Sequence, residues 1–171
     1  MTKFHFFWKA KIGQWSIDHF TDGERTYNCC EQYMMAQKAI LFGDGIALTK
    51  IMSSNDPRDQ KRHGREVANF NQEIWNKKAR IIVYNGNYLR FSQNSKSKKV
   101  LMETDGELVE ASPFDSVWGI KLSADNPDAK DKTKWQGKNW LGEVLTQLRE
   151  DFKSGKAELI SLDKDWINGR P

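Results

Sequence analysis

A chain of 171 residues with 38% hydrophobic and 12% aromatic side chains can bury one respectable core, so a single domain is expected rather than two cramped ones. No apolar run approaches the length of a membrane span, and the N-terminus has neither the apolar core nor the cleavage site of a signal peptide, which points to a cytoplasmic protein. The net charge of +4 hides a local bias: residues 58–99 hold eleven Lys/Arg against three Asp/Glu, which leaves 16 basic and 20 acidic residues elsewhere, and such a segment is either a solvated helix face or a surface that favours phosphates.

In chain order, the aromatic run Phe4-His5-Phe6-Phe7-Trp8 suits a short buried strand, and Thr21-Asp22-Gly23 marks a turn before a second one, making a small N-terminal β element. A helical pattern then runs over 31–42 and stops at Gly43, and Asp44 opens a second helix toward Met52. Asn55-Asp56-Pro57 reads as a stop and restart, with Arg58, Lys61, Arg62 and Arg65 on a third helix. Asn71 caps the longest helix, along which Ile74, Trp75, Ile81, Ile82 and Leu89 recur at helical spacing and Gly86 marks an interruption. A short basic helix over 95–103 turns Val100 and Leu101 inward, and Asp105-Gly106 leads into a strand at Leu108-Val109. Residues 123–133 read as an exposed polar loop, and Asn139 caps a last amphipathic helix that runs to about Phe152 with Gly155 as its stop. There is no internal repeat, and no glycine pattern of a phosphate-binding loop.

The cysteines Cys29 and Cys30 are adjacent, which gives no framework of disulfides, and His5, His19 and His63 are too scattered for ligand spacing, so no structural metal is expected. The segment Cys30-Glu31-Gln32-Tyr33-Met34-Met35-Ala36-Gln37-Lys38-Ala39 carries more information. Glu31 and Lys38 are seven residues apart, nearly two helical turns, so they face the same way about 10 Å apart along the axis. One reading makes both surface groups that flank a buried Met34-Met35 pair; the other makes them an acid and an amine at the two ends of a sugar-sized site.

Three further places carry possible chemistry. Asp115 precedes Trp118-Gly119 just after a strand, where it either caps a turn or sets a carboxylate beside an aromatic plane suited to a ribose or base. Lys138 and Asn139 lie at a helix start, which is either a plain cap or a set of free N–H groups favouring an anion. Trp75, on the long helix, reads as core before it reads as site.

These segments together resemble the NADAR family of YbiA-like N-glycosidases. The resemblance rests on Tyr27 through Ala39, Asp56-Pro57-Arg58 with Gly64-Arg65, Trp75, Arg90-Phe91-Ser92-Gln93-Asn94, Val109-Glu110-Ala111-Ser112-Pro113 with Asp115 and Trp118-Gly119, and Gly137 through Gly142. There are two departures: Lys121 stands where a glycine is common after Trp-Gly-Ile, and the aromatic motif near Trp15 is matched loosely. The resemblance implies a mainly α fold with a minor β element, a single domain over 1–171 with its core at about 4–153, and 154–171 as a C-terminal extension. It also implies an N-glycosidase that cleaves the bond between ribose C1 and an amino nitrogen, with no metal and no cofactor. The substrate would be either ADP-ribosylated guanine in DNA, with single-stranded DNA as partner, or a phosphoribosylamino-pyrimidine intermediate of riboflavin synthesis. Glu31, Lys38 and Asp115 would be catalytic, and Trp75, Trp118, Gly119, Lys138 and Asn139 would bind substrate. Two chemistries fit these groups: a Schiff base formed by Lys38 on a ring-opened sugar, and water activated by Glu31 or Asp115. A non-catalytic sensor of ADP-ribose or NAD is the alternative use of the same residues.

Overall fold

Six α-helices and four short strands make up the regular structure of the described residues, a mainly α protein with a minor β element. The structure is a computed structural model and describes residues 3–167 and residue 169. The chain gathers into two units: one holds the residues up to 13 with 96–157, the other holds 14–95 with those from 158 onward.

In the second of these, β2 (Phe20–Thr21) pairs antiparallel with β3 (Thr26–Tyr27) around a turn that Asp22 holds by accepting the N–H groups of Glu24 and Arg25. Four helices follow: α1 (Cys30–Leu41), α2 (Gly45–Ser53), α3 (Pro57–Arg65) and α4 (Gln72–Gln93). Their starts are set by side-chain caps, Asp44 on Ala47, Asp56 on Arg58 and Asn71 on Ile74, each satisfying an otherwise orphaned N–H. Helix α1 packs against α2, α3 and α4 and is buried at every position from Cys30 to Ala36, so it is a central helix rather than an amphipathic surface one.

Gly86 does not interrupt α4. A Cβ there would sit 2.6 Å from the Tyr33 ring, so glycine is what lets α1 and α4 approach. The segment from 158 docks on α4: the Asn85 amide bonds Ile160 in both directions, Lys78 pairs with Asp165 at 2.7 Å, and Trp166 is buried against Tyr84.

In the first unit, β1 (Phe4–Phe7) runs parallel to β4 (Glu107–Glu110) in the register Phe4↔Glu107 to Phe7↔Glu110. The expected N-terminal β element is therefore two separate pairs, since the partner of β1 lies beyond residue 100, where no local pattern points to it. Helix α5 (Ser95–Met102) turns Ser97 and Leu101 inward and leaves Val100 40% exposed; positions i and i+4 share a face, whereas neighbours do not. Helix α6 (Trp140–Ser154) lays Leu141, Val144, Leu145 and Leu148 inward and packs on β4, and Gly155 closes it at φ +72°. The loop over 123–133 contains two short 3₁₀ turns, Pro127–Lys130 and Lys132–Lys134, and buries Ala129 with Val109, Ile120 and Leu122. No helix of the described residues is long and apolar enough to cross a membrane.

Candidate active site

Glu31 is 3% exposed, in the first turn of α1, and its backbone N–H donates to the Gln14 carbonyl. A carboxylate that deep is not a surface group flanking a buried Met pair, so the surface reading of the Glu31–Lys38 stripe fails. Lys38, nearly two turns on, is half-buried. Its Nζ donates to the Gly64 carbonyl at 2.7 Å and lies 4.4 Å from the Phe70 ring centre and 5.4 Å from that of Trp75. Burial pulls the Lys38 pKa below the ordinary lysine value, the negative charge of Glu31 pushes it back up, and the cation of Arg65 lowers it further. Glu31, Lys38 and Trp75 are thus brought together within one unit. Gly64 makes this possible by its size: a Cβ there would run into the Met35 side chain, and α3 could not lie close enough to offer its carbonyl.

A buried polar network supports the start of α1. Gln32 accepts from the Asn28 N–H and donates to the carbonyls of Ile51 and Ser54, and Gln60 donates to Asn28 and Ser54 while accepting from the Cys29 thiol. The Cys30 thiol donates to Asn87, whose amide donates to Gln14 and to the Val83 carbonyl. Each such bond contributes a net of about 1 kcal/mol, but leaving one partner unpaired in the interior costs about 1–3 kcal/mol, so the network fixes one position for Glu31. Both thiols are buried and held protonated, Cys29 with its pKa raised to about 12 and Cys30 to about 11, chiefly by desolvation. Sequence reasoning did not foresee Gln14, Asn28, Gln60 and Asn87, which are polar residues scattered through a pattern that carries no period. Nor did it foresee Phe70 or Arg65 beside the lysine.

The other five expected residues cluster in the first unit. Asp115 spends one carboxylate oxygen on the N–H groups of Val117 and Trp118, both at 2.8 Å, which is the turn-capping alternative. Trp118 meets Trp140 edge to face at 5.7 Å, and the Lys138 ammonium lies 5.0 Å from the Trp140 ring centre. Asn139 is 2% exposed and takes up a left-handed φ of 55°. Its amide bridges the Leu108 carbonyl and the Glu110 N–H of β4 and makes no cap bond to its own helix. The free N–H groups expected at this helix start are taken: Lys138, Asn139, Trp140 and Leu141 donate to the carbonyls of Ser116, Gly119, Val117 and Trp118. Gly119 is buried, with space for a Cβ blocked by the Glu110 carbonyl at 2.8 Å. Lys121 adopts φ +56°, a conformation suited to the glycine that is common at this place. Among the described residues no group of three or more His, Cys, Asp or Glu could hold a metal ion.

The central helix α1 thus carries a buried acid and a desolvated amine on a mainly α scaffold with two short strand pairs. The family model of the NADAR domain matches residues 3–153, and the chain belongs to that family. It is 45% identical over 146 residues to N-glycosidase R617 of Acanthamoeba polyphaga mimivirus, covering 82% of this chain and 86% of that protein. Protein irg-1 of Caenorhabditis elegans is 36% identical over 143 residues, 78% of this chain and 68% of its own. N-glycosidase Npun_R5314 of Nostoc punctiforme is 26% identical over 125 residues, with 72% and 73% covered. The fold is also that of the Escherichia coli protein YbiA solved by NMR, with a TM-score of 0.73 at 21% identity over 94% of this chain and 90% of that one.

Proposed function

We propose that this protein is an N-glycosidase that releases an amine-bearing base from ribose C1, with Lys38 as the nucleophile and Glu31 as the proton carrier. The observation that carries this reading is the half-buried Lys38 amine, whose pKa is lowered by burial and which shares one face of α1 with the buried Glu31. Membership of a family with two relatives named N-glycosidases supports it. An N-ribosylamine opens when its ring oxygen leaves C1 and takes a proton, which gives a C1=N iminium. The Lys38 lone pair adds to C1, a proton moves from Nζ through Glu31 to the departing nitrogen, and the C1–N bond breaks with its electron pair on the base. Water then adds to the C1=Nζ bond, Nζ leaves, and the aldehyde closes to ribose. Asp115, engaged with its own turn, is assigned to shaping the loop that holds Trp118.

For the substrate we favour ADP-ribosylated guanine in single-stranded DNA over a phosphoribosylamino-pyrimidine. A small phosphoribosyl substrate needs a single anion site, and the exposed cations Arg58 and Arg65 of α3 with the half-buried Lys61 exceed that need. The test is mass spectrometry after incubation with each substrate class. Wild type should release guanine-bearing DNA and ADP-ribose, while Glu31→Gln and Lys38→Ala, each shown to unfold cooperatively, should lose turnover. Turnover of either variant within about tenfold of wild type, roughly 1.4 kcal/mol of barrier, would remove that residue from the chemistry. Tight ADP-ribose binding with no turnover by wild type would identify a sensor module instead.

A further inference from the structure

Phe114 is 81% exposed, the barest large apolar side chain among the described residues, and its ring lies 5.9 Å from that of Trp8, itself 40% exposed. Both follow the carboxyl ends of the parallel strands: Trp8 comes directly after β1, and Phe114 comes four residues after β4. The backbone that carries the two rings is held by hydrogen bonds. The Phe7 carbonyl accepts the Ala111 N–H, the buried Ser112 hydroxyl accepts the Phe114 N–H, and the Asp115 carboxylate accepts the N–H groups of Val117 and Trp118. Lys9 stands in a left-handed conformation with φ 51°, and its ammonium lies 4.6 Å from the Trp8 ring centre. A single exposed ring calls for no explanation, but two rings side by side on a hydrogen-bonded backbone, next to a cation, do.

We propose that Trp8, Phe114 and Lys9 form a stacking platform for an unpaired base of single-stranded DNA, with Lys9 facing the adjoining phosphate. Two rings offer about the area of one or two bases and far less than the roughly 800 Å² per partner of a stable protein interface. The cation beside the rings matches an anionic backbone. The choice of DNA rests on the substrate favoured above; the platform itself is separable from the chemistry assigned to Glu31 and Lys38.

The experiment is fluorescence anisotropy of a labelled 20-nucleotide oligothymidylate, single-stranded and as a duplex with oligoadenylate, combined with turnover of a phosphoribosylamino-pyrimidine. Phe114→Ala should weaken single-strand binding by about five- to a hundredfold, the range of one lost base stack. Phe114→Tyr should retain binding, and Lys9→Ala should flatten the salt dependence by about 0.7 in log–log slope. Small-substrate turnover should not change in any of these variants. Failure of wild type to bind the oligonucleotide, equal binding of Phe114→Ala, or equal preference for the duplex would overturn the platform, and intact small-substrate turnover would leave the N-glycosidase reading standing. Parallel loss of turnover in Phe114→Ala would also overturn it, by moving Phe114 into the catalytic site.

Discussion

Lys38 carries the sharpest consequence at the scale of single residues. An amine adds to a carbonyl only when unprotonated, and burial lowers its pKa while Glu31 opposes and Arg65 assists. Reductive trapping of ribose 5-phosphate by cyanoborohydride should therefore label Lys38 with a pH midpoint below that of ordinary lysines. Glu31→Gln removes the charge that raises the pKa and should move the midpoint down; Arg65→Gln should move it up. Identical midpoints in the two variants would show that neither charge reaches Nζ. The same shift has a stability sign: folded Lys38 releases its proton at lower pH than the unfolded chain, so its cost to the fold is full below the folded pKa and is relieved as pH rises from there. Lys38→Met should raise the melting temperature at neutral pH, by an amount that shrinks toward the ordinary lysine pKa. A second residue-scale prediction concerns Arg90, wholly buried with two nitrogens on Asp18 at 2.9 Å. Asp18→Asn takes the countercharge from a buried cation and should cost about 3–5 kcal/mol in urea unfolding, and a loss below 1 kcal/mol would mean that the charge of Asp18 is not what holds Arg90.

At the scale of elements, the sequence announces whatever depends on local physics. Asp44, Asp56 and Asn71 cap where their spacing places them, Pro57 opens α3, and Gly43 and Gly155 end helices in left-handed conformations. What the sequence hides is set by distant partners. Arg90 lies in the basic segment 58–99 that reads as surface, yet it goes inward, Gln93 bonds Thr21 through both its amide atoms, and Asn94 donates to the His19 carbonyl, so the Arg-Phe-Ser-Gln-Asn motif clamps the segment 18–21 onto α4. The Glu31–Lys38 stripe was visible because it is helical and local. Gln14 and Asn87, which hold it, lie 73 residues apart. Gly64 belongs to the same hidden class. Gly64→Ala should push α3 off Met35 and cost about 1–3 kcal/mol, and Met35→Ala in the same chain should recover part of it. If the double variant is destabilised by the sum of the single losses, the two residues do not share that contact.

At the scale of the whole molecule, most of the eleven cations of residues 58–99 are already engaged. Arg90 is buried, Lys78 is tied to Asp165, Arg80 lies over Trp166, Lys77 and Arg62 have carboxylates of their own helices, and Lys99 has Glu103 just past the end of α5. Lys78 in particular serves the docking of the C-terminal segment, so reversing its charge would disturb both the fold and the activity. The cations that remain for a nucleic acid in the helical unit are Arg58 and Arg65, both exposed, and Lys61, 5.9 Å from the ring centre of the half-exposed Trp15. Arg65 also tunes Lys38, which leaves Arg58 and Lys61 as the clean probe of substrate class. The double substitution Arg58→Glu and Lys61→Glu should lower kcat/KM on ADP-ribosylated single-stranded DNA by at least tenfold at low salt. It should flatten the log–log salt dependence by about 1.4, for two lost phosphate contacts, and spare the pyrimidine substrate. Lys78→Glu should lower the melting temperature and depress both reactions alike. Equal loss of both activities in the Arg58/Lys61 variant, at unchanged melting temperature, would place these cations around the ribosyl group common to both substrates and remove the argument for DNA.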